Sequence, residues 1–192
     1  MAKVTIGART LLYPLPAVLV GANVDGKPSF STYAWCGIVD SHPPMLSCAF
    51  QHHRYTLKGV KQNGTFSVNI PSVKMVKETD YCGIVSGSKV DKVADCKFDI
   101  FYGKLGNAPL ISQCPINIEC RALHSLNLGS HEMVVAQIEE IYATDSCLTD
   151  GEPDVAKIKP FIWVCRPTNQ YWTFGKPIGD AFSIGKQVKK VV

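Results

Sequence analysis

Short β-forming runs, each closed by a turn signal, recur along most of the sequence, and this repetition limits the fold more than any other feature. Ala17 to Val24 is a compact apolar run that ends in Asp25-Gly26. That dipeptide favours a two-residue hairpin, because both positions tolerate positive φ. The chain resumes at Lys27 and runs to about Trp35, with Phe30, Thr32, Tyr33 and Trp35 as strand formers. His42-Pro43-Pro44 is a break, and Met45 to Phe50 is a further short strand. Thr65 to Ile70 alternates, with Phe66, Val68 and Ile70 on one face, Ser67 and Asn69 on the other, and Pro71 ending the strand. Two longer segments follow, Ile116 to Leu128 and Met133 to Tyr142, with Gly129-Ser130-His131 as the hairpin between them. Thr149 to Pro153 reads as a loop, and Phe161 to Cys165 as a late strand containing Trp163.

Helical signals are few. Thr56 is placed to cap a short helix with Leu57 and Val60 on its apolar side, and Asn63-Gly64 is its stop. Ser72 to Tyr81 reads as a second helix with Ser72 as N-cap, and a third short one begins near Asp91. Helices do not alternate with strands, so a parallel βαβ sheet fits poorly. The expected class is mainly β: a closed antiparallel barrel with a few short helices.

The 192 residues are expected to form one domain spanning 1–192, with an ordinary globular composition of 46% hydrophobic and 19% charged residues. The longest apolar run, Ala17 to Ala22, is too short to cross a bilayer, and Met1 to Thr5 lacks the apolar core of a signal peptide. A cytoplasmic protein is expected, with no membrane partner. The net charge of +4 is dispersed, with its densest stretch at Lys186 to Lys190, so no nucleic-acid partner is expected; an anionic small ligand suits this balance. The eight cysteines form no CxxC pair, and the histidines lack metal-ligand spacing. Buried free thiols and no metal site are the expectation. No G-x-G-x-x-G follows a strand, so no dinucleotide-binding domain is visible.

Phe30 to Asn69 contains what flavin mononucleotide (FMN) requires. Its phosphate needs cations, hydroxyls and free N–H groups at a helix start; its ring needs aromatic and apolar walls. Ser31-Thr32-Tyr33-Ala34-Trp35 offers hydroxyls and aromatic faces. His53-Arg54-Tyr55-Thr56 offers a cation and a hydroxyl where a helix begins, and Asn69 offers an amide on a neighbouring strand. Taken alone, each residue reads as core or solvated surface before it reads as a site. Their order and spacing distinguish them.

Asn23-Val24, Ser31 to Trp35, Arg54-Tyr55-Thr56 and Phe66 to Pro71, taken in order, resemble the flavin-reductase-like, FMN-binding split-barrel family, and its flavoredoxin branch in particular. Cys82 to Gly87 followed by Asp91-Lys92, and Gly129-Ser130-His131 before a Val-rich strand, extend the resemblance from about Leu15 to Phe161. It implies a six-stranded Greek-key split barrel that forms a homodimer, with FMN near the dimer interface. Ser31 to Trp35 would line the ring and ribityl chain, Arg54 and Thr56 would hold the phosphate, Cys48, Ala49 and Phe50 would wall the site, and Lys92 would reach toward the cofactor. Val93 stands where the family often has Phe or a similarly bulky residue. Three functions follow: an electron carrier with bound FMN and redox partner proteins; an NAD(P)H-dependent flavin reductase; or a non-redox barrel for another phosphate-bearing ligand. His131 reads as a turn residue, a nicotinamide-site residue or an acid–base group.

Overall fold

The computed structural model describes residues 1–188, so Lys189 and Lys190 of the basic C-terminal stretch lie outside the described residues. One seven-stranded antiparallel sheet dominates. Its strands are β1 (Val18–Val24), β2 (Lys27–Tyr33), β3 (Cys36–Ser41), β4 (Pro44–Gln51), β5 (Thr65–Ile70), β6 (Ile116–Asn127) and β7 (His131–Ala143). In space the order is β2-β1-β5-β6-β7-β4-β3. The far strands meet: the Ala49 N–H donates to the Trp35 carbonyl at 2.9 Å, and the Tyr33 and Phe50 rings pack 4.7 Å apart. The six strands from β2 round to β4 thus curl into the expected barrel. β3 is an additional hairpin strand that the sequence did not reveal, since its exposed residues show no alternation.

Turn chemistry matches the sequence in several places. Asp25 and Gly26 both adopt positive φ, and Val24 pairs with Lys27 across them. Gly129 does the same between β6 and β7, and register shifts between Val135/Ala136 and Ile138/Glu140 mark irregularities that bend this long hairpin. Thr149–Pro153 holds more order than a loop: Leu148–Thr149 pairs with Glu152–Pro153 around Asp150 and Gly151, both at positive φ.

The helices differ from expectation at their starts. Helix α1 (Tyr55–Asn63) begins one residue before Thr56, with Arg54 at the N-cap and no side chain bonding its first turn. Its stop is as expected, with Gly64 left-handed at φ 65°. A Cβ on Gly59 would lie 2.5 Å from the Asn23 carbonyl, so glycine lets this helix press against β1. The second helix opens as a 3-10 turn at Val73–Met75, with Ser72 making no capping bond, and continues as α2 (Val76–Ile84), past the expected end at Tyr81. Asp91 does cap the short helix Lys92–Asp95, accepting from the Val93 and Ala94 N–H groups.

Two cores result from the alternation. Val20, Leu46, Phe50, Phe66, Val68 and Val134 fill the barrel. Leu19, Phe30, Met75, Cys82, Phe98 and Ile111 pack outside it, between the outer face of β1–β2 and α2 with the segment that follows. Each fully buried phenylalanine contributes about 1.5–3 kcal/mol. The second core also explains why β5 is buried on both faces: Ser67 and Asn69 sit under the short hairpin Ile100–Tyr102/Pro109–Ile111. A further small sheet joins Leu15–Pro16, Phe161–Val164 and Gln170–Thr173. Among the described residues no helix is long and apolar enough to cross a membrane.

Candidate functional site

A cleft of about 330 Å³ opens where β2 ends, β4 ends and the last turn of α2 arrives. Thr32, Tyr33, Ala34 and Trp35 form one wall; Ala49, Gln51 and His131 form a second; Asp80, Gly83 and Ile84 on α2 form a third. Trp163 and Tyr171 close it from the small sheet. Trp35 and His131 stack at 4.5 Å between ring centres, tilted by 32°. The Tyr171 hydroxyl donates to the Asp80 carboxylate at 2.9 Å, which joins that sheet to α2. Burial, followed by the charges of His52, Arg54 and His53, holds His131 below its ordinary pKa, so it is neutral at pH 7.

An adjoining polar pocket of about 240 Å³ shares Arg54, Gly83 and Ile84 with the cleft. Ser31, His53, Tyr55 and the loop Val85-Ser86-Gly87 complete it. The loop lies tight: a Cβ on Gly87 would come within 2.5 Å of the Ser29 hydroxyl. The start of α1 lies at this pocket with no side-chain cap, leaving first-turn N–H groups for an anion. A pocket that puts ring-sized apolar walls beside a cation and a helix N-terminus matches an aromatic ligand with a phosphate tail.

Cations also secure the opposite helix end. The last carbonyls of α2 lack intrahelical partners, and its last turn holds no basic residue. Arg54 donates from Nη1 to the Gly83 carbonyl at 2.7 Å, and Lys92 donates from Nζ to the Cys82 carbonyl at 2.8 Å. Lys92 is buried, and it also donates to the Phe30 carbonyl at 2.8 Å and contacts the Ser31 hydroxyl at 3.5 Å. Burial lowers its pKa. A helix C-terminus beside an anion site is unfavourable, and these two cations offset it.

The sequence candidates therefore fall into three groups. Thr32, Tyr33, Ala34, Trp35, Ala49 and Arg54 line the cleft, and Ser31 lines the polar pocket. Cys48 and Phe50 point into the barrel core. Thr56, Asn69 and Lys92 are buried and bonded internally. The Thr56 hydroxyl donates to Ser31 Oγ at 2.9 Å. Asn69 bonds the Leu19 carbonyl, Ser67, the Ile111 N–H and Asn117, which makes it a hub between β1, β5 and the outer layer. Thr56→Val is expected to lower stability by about 1 kcal/mol and leave ligand affinity within about twofold. Denaturant unfolding and a binding titration check this; a tenfold affinity loss would place the hydroxyl in the site after all.

Sequence reasoning overlooked Asp80, Gly83, Ile84, Gln51 and Tyr171. Asp80, Gly83 and Ile84 share a helical face by i, i+3 and i, i+4 spacing, a signal that was readable. Tyr171 had none, since its partner Asp80 lies 91 positions away.

A cleft and a polar pocket that meet at the seam of a split antiparallel barrel define a small-ligand-binding class of fold. Residues 9–156 match the model of the flavin reductase like domain, and the chain belongs to that family. Within it the chain is similar to the flavoredoxin of Methanosarcina acetivorans, at 40% identity over 98% of this chain and 100% of that one, with a TM-score of 0.94. It is also similar to the flavoredoxin of Desulfovibrio vulgaris (Miyazaki F), at 34% identity over 96% and 100%, with a TM-score of 0.90. An uncharacterized protein of Archaeoglobus fulgidus is 31% identical over 144 residues, 75% of this chain and 80% of that protein. The flavoredoxin branch expected from the sequence is the one that these similarities support.

Proposed function

We propose that this protein binds FMN, with the ring system in the cleft and the phosphate in the polar pocket, and carries electrons through it as a flavoredoxin-type protein. The observation that carries this reading is the continuity of the two pockets through Arg54, at the uncapped start of α1. Bound there, FMN supplies reversible uptake and release of electrons. Arg54 binds the phosphate with a charge-assisted hydrogen bond while its Nη1 stays fixed by Gly83. Trp35, His131, Trp163 and Tyr171 exclude water from the ring. A redox partner protein approaches at the open side of the cleft.

The same reading includes a homodimer. Ala49, Met133 and Leu126 form a cross-strand row on the sheet face opposite the core, and Ala49 also lines the cleft. Leu126 on that row and Trp35, hydrogen-bonded through its carbonyl to Ala49, are exposed large apolar residues. A second copy seated on that row would complete the cleft mouth. A second function, an NAD(P)H-dependent flavin reductase, is favoured by neutral His131 stacked on Trp35, an uncharged surface beside the ring site.

Titrating the purified chain with FMN, followed by quenching of flavin fluorescence, is expected to saturate at one FMN per chain. No quenching with properly folded protein would defeat the proposal. Steady-state oxidation of NADH and NADPH, with and without free flavin, separates the two functions. Turnover with neither nucleotide leaves the electron carrier.

A further inference from the structure

Cys36 and Cys48 face each other beneath the cleft wall and take no part in the reading above. Trp35 and Ala49 are joined by a ladder hydrogen bond. The next pair along an antiparallel ladder is the non-hydrogen-bonded kind, where Cα atoms approach to about 4.5 Å. A disulfide spans Cα separations of about 4.4–6.8 Å. Cys36 and Cys48 occupy that next position in register, and Cys48 Sγ donates to Cys36 Sγ at 2.9 Å.

The two thiols differ in access. Cys48 is fully buried, and its bond to Cys36 together with burial raises its pKa well above the ordinary value. Cys36 is half-buried and opens onto a separate cavity of about 430 Å³. The N-terminal residues Arg9 to Leu12 border this cavity, with Leu15 and Trp35 completing its walls. Among the described residues, Arg9 is the one cation on its lining, and Cys36 is the one sulfur.

We propose that Cys36 and Cys48 form a dithiol site for an anionic low-molecular-weight disulfide, with Cys36 as the attacking thiol, Cys48 as the resolving thiol and Arg9 as the carboxylate contact. Cys36 releases its proton to water, and its thiolate attacks one sulfur of R–S–S–R. The S–S bond breaks, a Cys36–S–S–R bond forms, and the first RS⁻ leaves and takes a proton. Cys48 then attacks Cys36 Sγ and expels the second RS⁻, which takes up the proton that Cys48 gives up. Two protein thiols are oxidised to one disulfide, and one small disulfide is reduced to two thiols. The new bond adjoins the Trp35–Ala49 link, so oxidation staples the strand pair that carries the cleft wall. None of these steps depends on bound FMN.

The test uses the full chain and glutathione disulfide, with quenching by an alkylating agent, intact mass and peptide mapping. Wild type is expected to show two fewer alkylated thiols than its eight cysteines, with Cys36 linked to Cys48. Cys48→Ser is expected to trap one glutathione on Cys36, and Cys36→Ser to gain neither adduct nor disulfide. Arg9→Ala is expected to slow adduct formation several-fold. Full alkylation of oxidant-treated wild type, or an adduct mapped to another cysteine in Cys48→Ser, would overturn the site; an unchanged rate in Arg9→Ala would overturn the seat.

Discussion

Arg54→Ala is expected to weaken FMN binding by about 10- to 100-fold. A hydrogen bond to a charged group contributes about 1.5–3 kcal/mol, and each 1.4 kcal/mol is a factor of ten. Among the described residues, Arg54 is the one that lines both pockets and also donates to the end of α2. Two losses therefore accompany the substitution. The phosphate loses its cation, and the Gly83 carbonyl loses its donor at the cleft rim. The second loss is modest, about 1 kcal/mol, because that carbonyl can turn to water. The diagnostic pattern is a large drop in affinity with a small drop in stability. Arg54→Lys should recover part of the affinity, since a point charge replaces the phosphate contact but not the fork. FMN titration alongside thermal unfolding checks both quantities. Unchanged affinity in Arg54→Ala would mean that the polar pocket does not hold the phosphate.

Much of the fold was legible because it depends on local rules. Asp25-Gly26, Asn63-Gly64 and Gly129 announced turns that need positive φ, and all three adopt it at the glycine. The alternation of Thr65–Ile70 was also legible, but not its meaning. Ser67 and Asn69 read as a polar face with Asn69 offering its amide to the ligand, and are instead the contact with the outer layer, because their hydrogen bonds are satisfied by residues 42 to 50 positions away. The same limit governs the site. Ser31 to Trp35 and Arg54 were readable as hydroxyls, aromatics and a cation near a helix start. The small sheet that brings Trp163 and Tyr171 to the cleft pairs Leu15–Pro16 with a segment near the other end of the chain, a long-range pairing that local sequence does not announce. Thr56 looked like a cap for want of Arg54's backbone conformation, which places the helix start one residue earlier.

Lys92 is where geometry most changes the reading of a residue. The resemblance aims it at the cofactor; in the structure it is buried with its ammonium on two backbone carbonyls and a hydroxyl, with no carboxylate partner among the described residues. It ties the last turn of α2 to β2, the strand that carries Ser31 to Tyr33. Lys92→Met keeps the length of the stem and removes the donors. The Cys82 carbonyl, one of the last of its helix, is then stranded in a buried setting, and the Phe30 carbonyl loses the same donor. Each buried group left unsatisfied costs about 1–3 kcal/mol, and removing a desolvated charge returns part of that. The expected net loss is about 2–4 kcal/mol, a fall in Tm of about 5–15 °C for a chain of this size. FMN saturation is expected to restore part of the lost Tm, because bound ligand holds the same strand and helix end together. A melting temperature equal to wild type would show that water or a shifted α2 satisfies both carbonyls. An intact Tm with lost FMN affinity would instead return Lys92 to the cofactor itself.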